Sequence, residues 1–184
     1  MEKQLKAAKF PYHKTLDDYQ ININHHLIQL KELNWLEQQY NLILLGPPHH
    51  LAIGMGIEAI HKGYKVSFMT MGDLIHLLKT KTKEYIRKSH TLRKRVYESD
   101  MVIVDDLMYM SMDPREANLF FHLVNELYER SSIILTSNKA PDQWGELMND
   151  QGITTTILDR LLHRAEVIPL HGDSYRIKHR DSIF

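Results

Sequence analysis

Apolar residues along this chain follow two rhythms. Short unbroken runs occur at Asn41–Leu45, Tyr64–Met69, Met101–Val104, Ser132–Thr136 and Glu166–Leu170, and each reads as a buried strand. Between them the apolar spacing lengthens to three and four residues. This predicts helices at about His49–His61, Gly72–Lys79, Lys83–Tyr97, Arg115–Glu129 and Thr154–His163. Ahead of the first run, Ile23–Tyr40 reads as one helix, with Leu27, Ile28, Leu30, Leu33, Trp35 and Leu36 largely on one side. Strands alternating with helices predict an α/β fold, a parallel sheet with helices on both faces. The pattern alone leaves the strand order open.

Bulk properties narrow the class without naming a chemistry. A length of 184 residues suits a single α/β domain with a sizeable core. Lys+Arg and Asp+Glu balance at 23 each, so overall charge announces no nucleic-acid partner. Cysteine is absent, which excludes disulfides and thiolate metal sites. No apolar run approaches membrane length, and the opening Met-Glu-Lys-Gln-Leu-Lys has no apolar signal core. The expectation is a cytoplasmic protein. One local departure from neutrality stands out. Lys79, Lys81, Lys83, Arg87, Lys88, Arg93, Lys94 and Arg95 cluster in one run, with Glu84 the only acid. Such a run is either a solvated helix face or a surface for salt-sensitive, sequence-independent contact with DNA phosphates. The adjacent pairs His25-His26 and His49-His50 lack the i, i+4 spacing that binds zinc on a helix.

Two strand ends carry candidate chemistry. The run Met101–Val104 leads into Asp105-Asp106, two carboxylates that a sheet core would not tolerate without partners. At the carboxyl end of an open α/β sheet they would face the crevice where ligands bind. Asp105 could hold Mg²⁺ there and Asp106 could orient or activate a water, or the pair could simply cap the next element. The run Asn41–Leu45 ends in Gly46-Pro47-Pro48 and a helix follows, the setting of a phosphate-binding loop. That loop needs Gly-x-x-x-x-Gly-Lys-[Ser/Thr], whose backbone N–H groups curl around a phosphate that the Lys also reaches. Leu51 and Ala52 stand where the second Gly and the Lys should be, and the next lysine is Lys62.

Asn41–Pro48 followed by His50–Ile60 resembles the IstB-type ATP-binding proteins, helpers of bacterial insertion-sequence transposases. These are AAA+ ATPases related to the DnaC and DnaI helicase loaders. In that family Gly-Pro-Pro is followed by Gly-Thr-Gly-Lys-Thr and then His-Leu-Ala. Here Gly46-Pro47-Pro48 is followed by His49 and then His50-Leu51-Ala52, as if roughly four residues had been cut from the phosphate loop. The resemblance continues through Glu58-Ala59-Ile60, Gly63–Val66, Met101–Asp106, Ala117–Phe121, Leu135–Asn138, Trp144-Gly145-Glu146, Leu158–His163 and Gly172–Arg176, and takes in Phe10-Pro11 and Lys14–Asp18.

The resemblance implies a single AAA+ core over residues 1–184, a P-loop NTPase-type fold with a five-stranded parallel sheet. Residues 1–40 would be an N-terminal extension and helix packed on that core. The strand ending at Asp105 would lie between those ending near Met69 and Asn138. The family's C-terminal lid would be small or absent, and its small N-terminal domain missing. The resemblance assigns Gly46, Pro47, Pro48 and His49 to the cofactor loop. Asp105, in the Walker B segment, would bind Mg²⁺, with Asp106 as the catalytic carboxylate. The family's commoner pattern is Asp-Glu. Asn138 would be the sensor asparagine. Arg160 would be the arginine finger that serves a neighbouring subunit's nucleotide. Residue type alone equally allows a turn-starting Asn138, and an Arg160 paired with Asp159 or Glu166. The implied cofactors are ATP and Mg²⁺, or none if the shortened loop abolishes binding. The implied partners are DNA, a transposase and further copies of the chain. The implied function is a transposition helper with impaired nucleotide binding. The alternatives are a nucleotide-independent DNA-binding or adaptor remnant, or a DnaC-like loader acting on a replicative helicase.

Overall fold

The computed structural model describes residues 1–13, 15–16, 25–46, 49–79, 90–91, 93–107, 111–148 and 151–170. Five strands, β1 (Asn41–Leu45), β2 (Val66–Thr70), β3 (Met101–Leu107), β4 (Ser132–Ser137) and β5 (Ala165–Pro169), form one sheet in the order β2-β3-β4-β1-β5. Every pairing is parallel, and β3 lies between β2 and β4 as the resemblance implied. A parallel sheet covered on both faces needs apolar side chains pointing both ways, which is why its central strands read as unbroken runs. Leu42, Leu44, Phe68, Ile103 and Ile134 face one layer, while Ile43, Met69, Val102, Val104, Ile133 and Leu135 face the other.

The first layer is built on α4 (His49–His61), almost wholly buried between the sheet and the start of the chain. Helix α1 (Glu2–Ala8) and the residues after it cross α4, and Phe10 packs against Phe68 with ring centroids 5.8 Å apart and planes inclined at 56°. Two glycines make this close crossing feasible. A Cβ on Gly54 would meet Leu16 Cδ2 at 2.8 Å, and one on Gly56 would meet both Phe10 Cζ and Ile103 Cδ1 at 2.8 Å. Helix-interior glycine costs about 1 kcal/mol against alanine, so the pair marks a packing requirement.

The helix expected over Ile23–Tyr40 is broken. Helix α2 (His25–Glu32) and the short α3 (Asn34–Glu37) meet at Leu33, whose φ is +59°. Leu30, Leu33 and Leu36 are all buried, so their apolar spacing continues across the break. The ammonium of Lys62, at the far end of α4, donates to Lys31 O at 3.1 Å and Glu32 O at 3.0 Å, satisfying carbonyls that end α2.

The opposite layer contains α5 (Met71–Lys79), helical residues 93–97 (α6), α7 (Pro114–Leu127), α8 (Trp144–Met148) and α9 (Gln151–His163). Helix α7 opens on a capping box in which Asp113 Oδ1 accepts from Glu116 N–H at 2.8 Å and Glu116 Oε2 accepts from Asp113 N–H at 2.7 Å. Asn41 ties this layer to the sheet. Its side chain, buried at the start of β1, donates to Leu161 O of α9 at 3.1 Å and accepts from Ile133 N–H of β4 at 2.9 Å. Among the described residues no helix is long and apolar enough to cross a membrane.

Candidate functional site

Parallel strands bring all their carboxyl ends to one edge of the sheet, the usual ligand edge of an open α/β fold. Thr70 pairs with Asp105 across β2 and β3, and Leu45 with Ser137 across β1 and β4. Along this edge therefore lie Thr70, Asp105, Asp106, Ser137, Asn138 and Gly46.

The two carboxylates do not follow the strand, as the apolar run suggested, but lie within it. Val104 pairs with Leu135, yet Leu107 pairs with Ser137, so β3 carries one residue more than β4 over this interval. The surplus is a β-bulge in which Asp105 and Asp106 together oppose Thr136. Its sense is clear from the packing. Val104 and Leu107 both point into the α5/α7/α9 layer, which regular alternation would forbid. The bulge removes Asp106 from that apolar layer. Asp106 adopts φ +57°, a left-handed conformation that a short polar side chain tolerates. Asp105 is only 6 % exposed and Asp106 is half-buried.

Thr136 completes the unit. Its hydroxyl donates to Asp105 Oδ1 at 2.5 Å and accepts from Asp106 N–H at 2.9 Å. On the other side, Thr70 and Asp73 are bonded to each other where β2 passes into α5, with Thr70 Oγ1 donating to Asp73 Oδ2 at 2.7 Å and accepting from Asp73 N–H at 3.1 Å. Asp73 is thus engaged as a cap. Asn138 is exposed just past β4, in a turn held by Ser137, whose Oγ donates to Lys139 O at 2.8 Å and accepts from Lys139 N–H at 3.0 Å.

Gly46 closes the edge at β1. Its φ is +115°, its N–H donates to Ser137 O at 3.1 Å, and a Cβ there would stand 2.7 Å from Leu170 O. With β1 ending at Leu45 and α4 starting at His49, only residues 46 to 48 connect them. Pro47 and Pro48 lie outside the described residues, as does the side chain of His49. Leu51 and Ala52, at the places of the loop's second Gly and Lys, are buried in the α4 core. The start of α4 faces this edge, and a helix N-terminus favours an anion. His50, in that first turn, lies edge-on to Tyr12 at 5.1 Å.

The donor set at this edge fits Mg²⁺ in kind. That ion takes hard oxygen ligands and is usually held by one or two carboxylates with substrate phosphates and water. Among the described residues there is no cluster of three or more His, Cys, Asp or Glu that could cage a metal unaided.

A family model for IstB-like ATP-binding proteins matches residues 1–182. The chain belongs to the IstB-like ATP-binding family. It is 41% identical over 189 residues to the insertion-sequence IS21 ATP-binding protein of Pseudomonas aeruginosa, covering 98% of this chain and 71% of that protein. It is 36% identical to the IS5376 ATP-binding protein of Geobacillus stearothermophilus, covering 96% of this chain and 73% of the relative. Among solved structures, DnaI matches with a TM-score of 0.72 at 15% identity, covering 93% of this chain and 94% of that one. AMPPCP-bound DnaA from Aquifex aeolicus matches with a TM-score of 0.63 at 25% identity, covering 87% of this chain and 51% of that one. The sheet and its flanking helices are of the AAA+ P-loop NTPase type.

In this IstB-like chain Arg160 is not brought to the carboxylate edge. It lines a small recess with Asn41, Ser131 and Ile133, which stand at the starts of β1 and β4, at the opposite edge of the sheet. Its guanidinium lies 5.6 Å from the Phe121 ring centroid and 5.8 Å from that of Tyr128, both on the α7 side. Tyr128 Oη is hydrogen-bonded to His163 Nδ1 at 3.0 Å.

The basic run also divides. Lys81, Lys83, Arg87 and Lys88 lie outside the described residues, as does the side chain of Lys79, the last residue of α5. Arg93 and Lys94 are exposed, with Lys94 pairing loosely with Glu98 at 3.8 Å. Arg95 turns inward, and its Nη1 donates to Ala7 O at 2.5 Å near the end of α1. Burial lowers the pKa of this guanidinium from its ordinary value. Sequence reasoning missed the roles of Thr136 and Asn41. The faint signal for each was a polar residue at the end of an apolar run, and strand pairing gave it meaning.

Proposed function

We propose that this IstB-like protein is a DNA-associated helper of insertion-sequence transposition that works with a transposase and with further copies of itself, and whose handling of ATP is impaired. The connection of residues 46 to 48 carries the last point. It is too short to form the N–H cradle of a phosphate loop, and no lysine follows it before Lys62. Phosphoryl transfer depends almost wholly on positioning and charge stabilisation, so losing the cradle removes most of what this fold contributes to hydrolysis.

The carboxylate edge remains suited to a metal–nucleotide ligand. Asp105 would hold Mg²⁺, Asp106 would face the attacking water and Asn138 would orient it. Mg²⁺ would supply charge neutralisation on the phosphates. Arg160, at the far edge, lies away from the carboxylates of its own chain, and in an assembly of like chains it would serve another copy's nucleotide. Arg93 and Lys94 supply exposed cations for DNA phosphates. Identity of 41% to a protein of an insertion sequence favours a transposase partner over a replicative helicase. A second reading, an adaptor that dispenses with nucleotide, is favoured by the same short connection and by the lack of a lysine before Lys62.

Titration with a fluorescent ATP analogue and assay of phosphate release test the proposal. Affinity should be weaker than about 100 μM, and turnover should be undetectable. Replacing His49 with Gly-Thr-Gly-Lys-Thr should tighten binding by about 100-fold. Micromolar binding by the unaltered chain, lost in Asp105→Ala and accompanied by turnover, would refute the impairment.

A further inference from the structure

Adjacent carboxylates in a strand present two problems. They repel each other, and a regular strand would drive one of them into each face of the sheet. Here a single hydroxyl meets both requirements of the bulge. Thr136 is 1 % exposed, and its Oγ1 bridges Asp105 Oδ1 at 2.5 Å and the Asp106 N–H at 2.9 Å. A hydroxyl has one hydrogen to give and lone pairs to receive, so one atom can serve a carboxylate and an amide together. β-Branching restricts χ1 in a strand, which presets the direction of that hydroxyl.

We infer that Thr136 is the positioning residue of the Asp105–Asp106 pair: its hydroxyl fixes one oxygen of Asp105 and holds Asp106 in the left-handed bulge that keeps it at the ligand edge. The spacing of the two carboxylates is therefore set from β4, by a residue that does not itself face the ligand. As far as metal binding is concerned, the inference rests on the reading of this edge as a Mg²⁺ site. Its structural content stands without that reading.

The test compares Thr136→Val, Thr136→Ser and Asp105→Asn in the full chain, without nucleotide. Two readouts are taken: amide hydrogen exchange at Asp106 by NMR, and binding of Mn²⁺ alone by loss of its free EPR signal. Thr136→Val should accelerate exchange at Asp106 by about five- to tenfold relative to Ile103 in the same strand, the effect of one ordinary hydrogen bond. It should weaken Mn²⁺ binding by a similar factor. Thr136→Ser should restore both, which a simple loss of packing would not predict. Asp105→Asn should weaken Mn²⁺ binding while Asp106 stays protected. Unchanged exchange at Asp106 in Thr136→Val, or no rescue by Thr136→Ser, overturns the inference. If Asp105→Asn leaves Mn²⁺ binding intact while Thr136→Val still exposes the Asp106 amide, the metal reading falls and the positioning role stands. Should Thr136→Val not fold, Thr136→Ala against Thr136→Ser makes the same comparison.

Discussion

The two edges of one sheet have been built with opposite chemistry. The edge where the strands end carries Asp105, Asp106 and Asn138, with the left-handed Gly46 beside them. The edge where they begin carries Arg160, close to the rings of Phe121 and Tyr128. Each is fastened by one buried polar side chain that joins neighbouring elements, Thr136 at the acidic edge and Asn41 at the basic one. A single copy keeps these groups apart by the length of a strand. A head-to-tail contact between copies, unlike a two-fold one, would set the arginine of one against the carboxylates of the next.

The comparison can be broken first at Asn41. Asn41→Ala should cost about 3 kcal/mol in urea unfolding, because both Leu161 O and Ile133 N–H lose a buried partner. A cost below about 1 kcal/mol would mean that the basic edge is held by packing alone. Gly46→Ala probes the acidic edge. The left-handed φ and the approach to Leu170 O should make it cost about 2 kcal/mol, and the measured loss should not be recovered by Gly46→Ser. The smallest effect distinguishes cations that share one run. Arg95→Ala should lower stability by about 1 to 2 kcal/mol, through its bond to Ala7 O. Arg93→Ala with Lys94→Ala should change stability by less than about 0.5 kcal/mol. If both residues touch phosphates, the pair should also reduce the log–log salt slope of duplex binding by about two. An unchanged slope would leave them as solvent-facing charges.

The edges were unequally legible in the sequence. Burial on both faces writes a strand as an unbroken apolar run, so β1 and α4 fall on the residues expected, Asn41–Leu45 and His49–His61. Repetition of Leu30, Leu33 and Leu36 hid the break at Leu33, since the apolar spacing persists while the backbone turns under contacts from Lys62, some thirty residues later. The extension of β3 through two aspartates contradicts local pattern and depends on a hydroxyl from another strand. Helices α1 and α8 are too short to show a periodicity. For Arg160, the resemblance implied a neighbouring subunit's nucleotide while residue type allowed Asp159 or Glu166 as a partner, and only the sheet register shows which edge it occupies.

The glycines of α4 have a consequence for how this loop could ever change length. Gly54 and Gly56 receive Leu16 and Phe10 like notches, so the helix has one permitted phase about its axis. A residue in an α-helix advances about 100°, and four residues therefore overshoot a full turn by roughly 40°. Gaining or losing them by sliding α4 would bring Ala52 or Ile60 to the level of the aromatic ring now seated on Gly56, some 40° out of phase. Indexed in this way, the helix transmits no change of length. Any insertion or deletion ahead of it has to be absorbed between Gly46 and His49, where the phosphate loop of the family would lie.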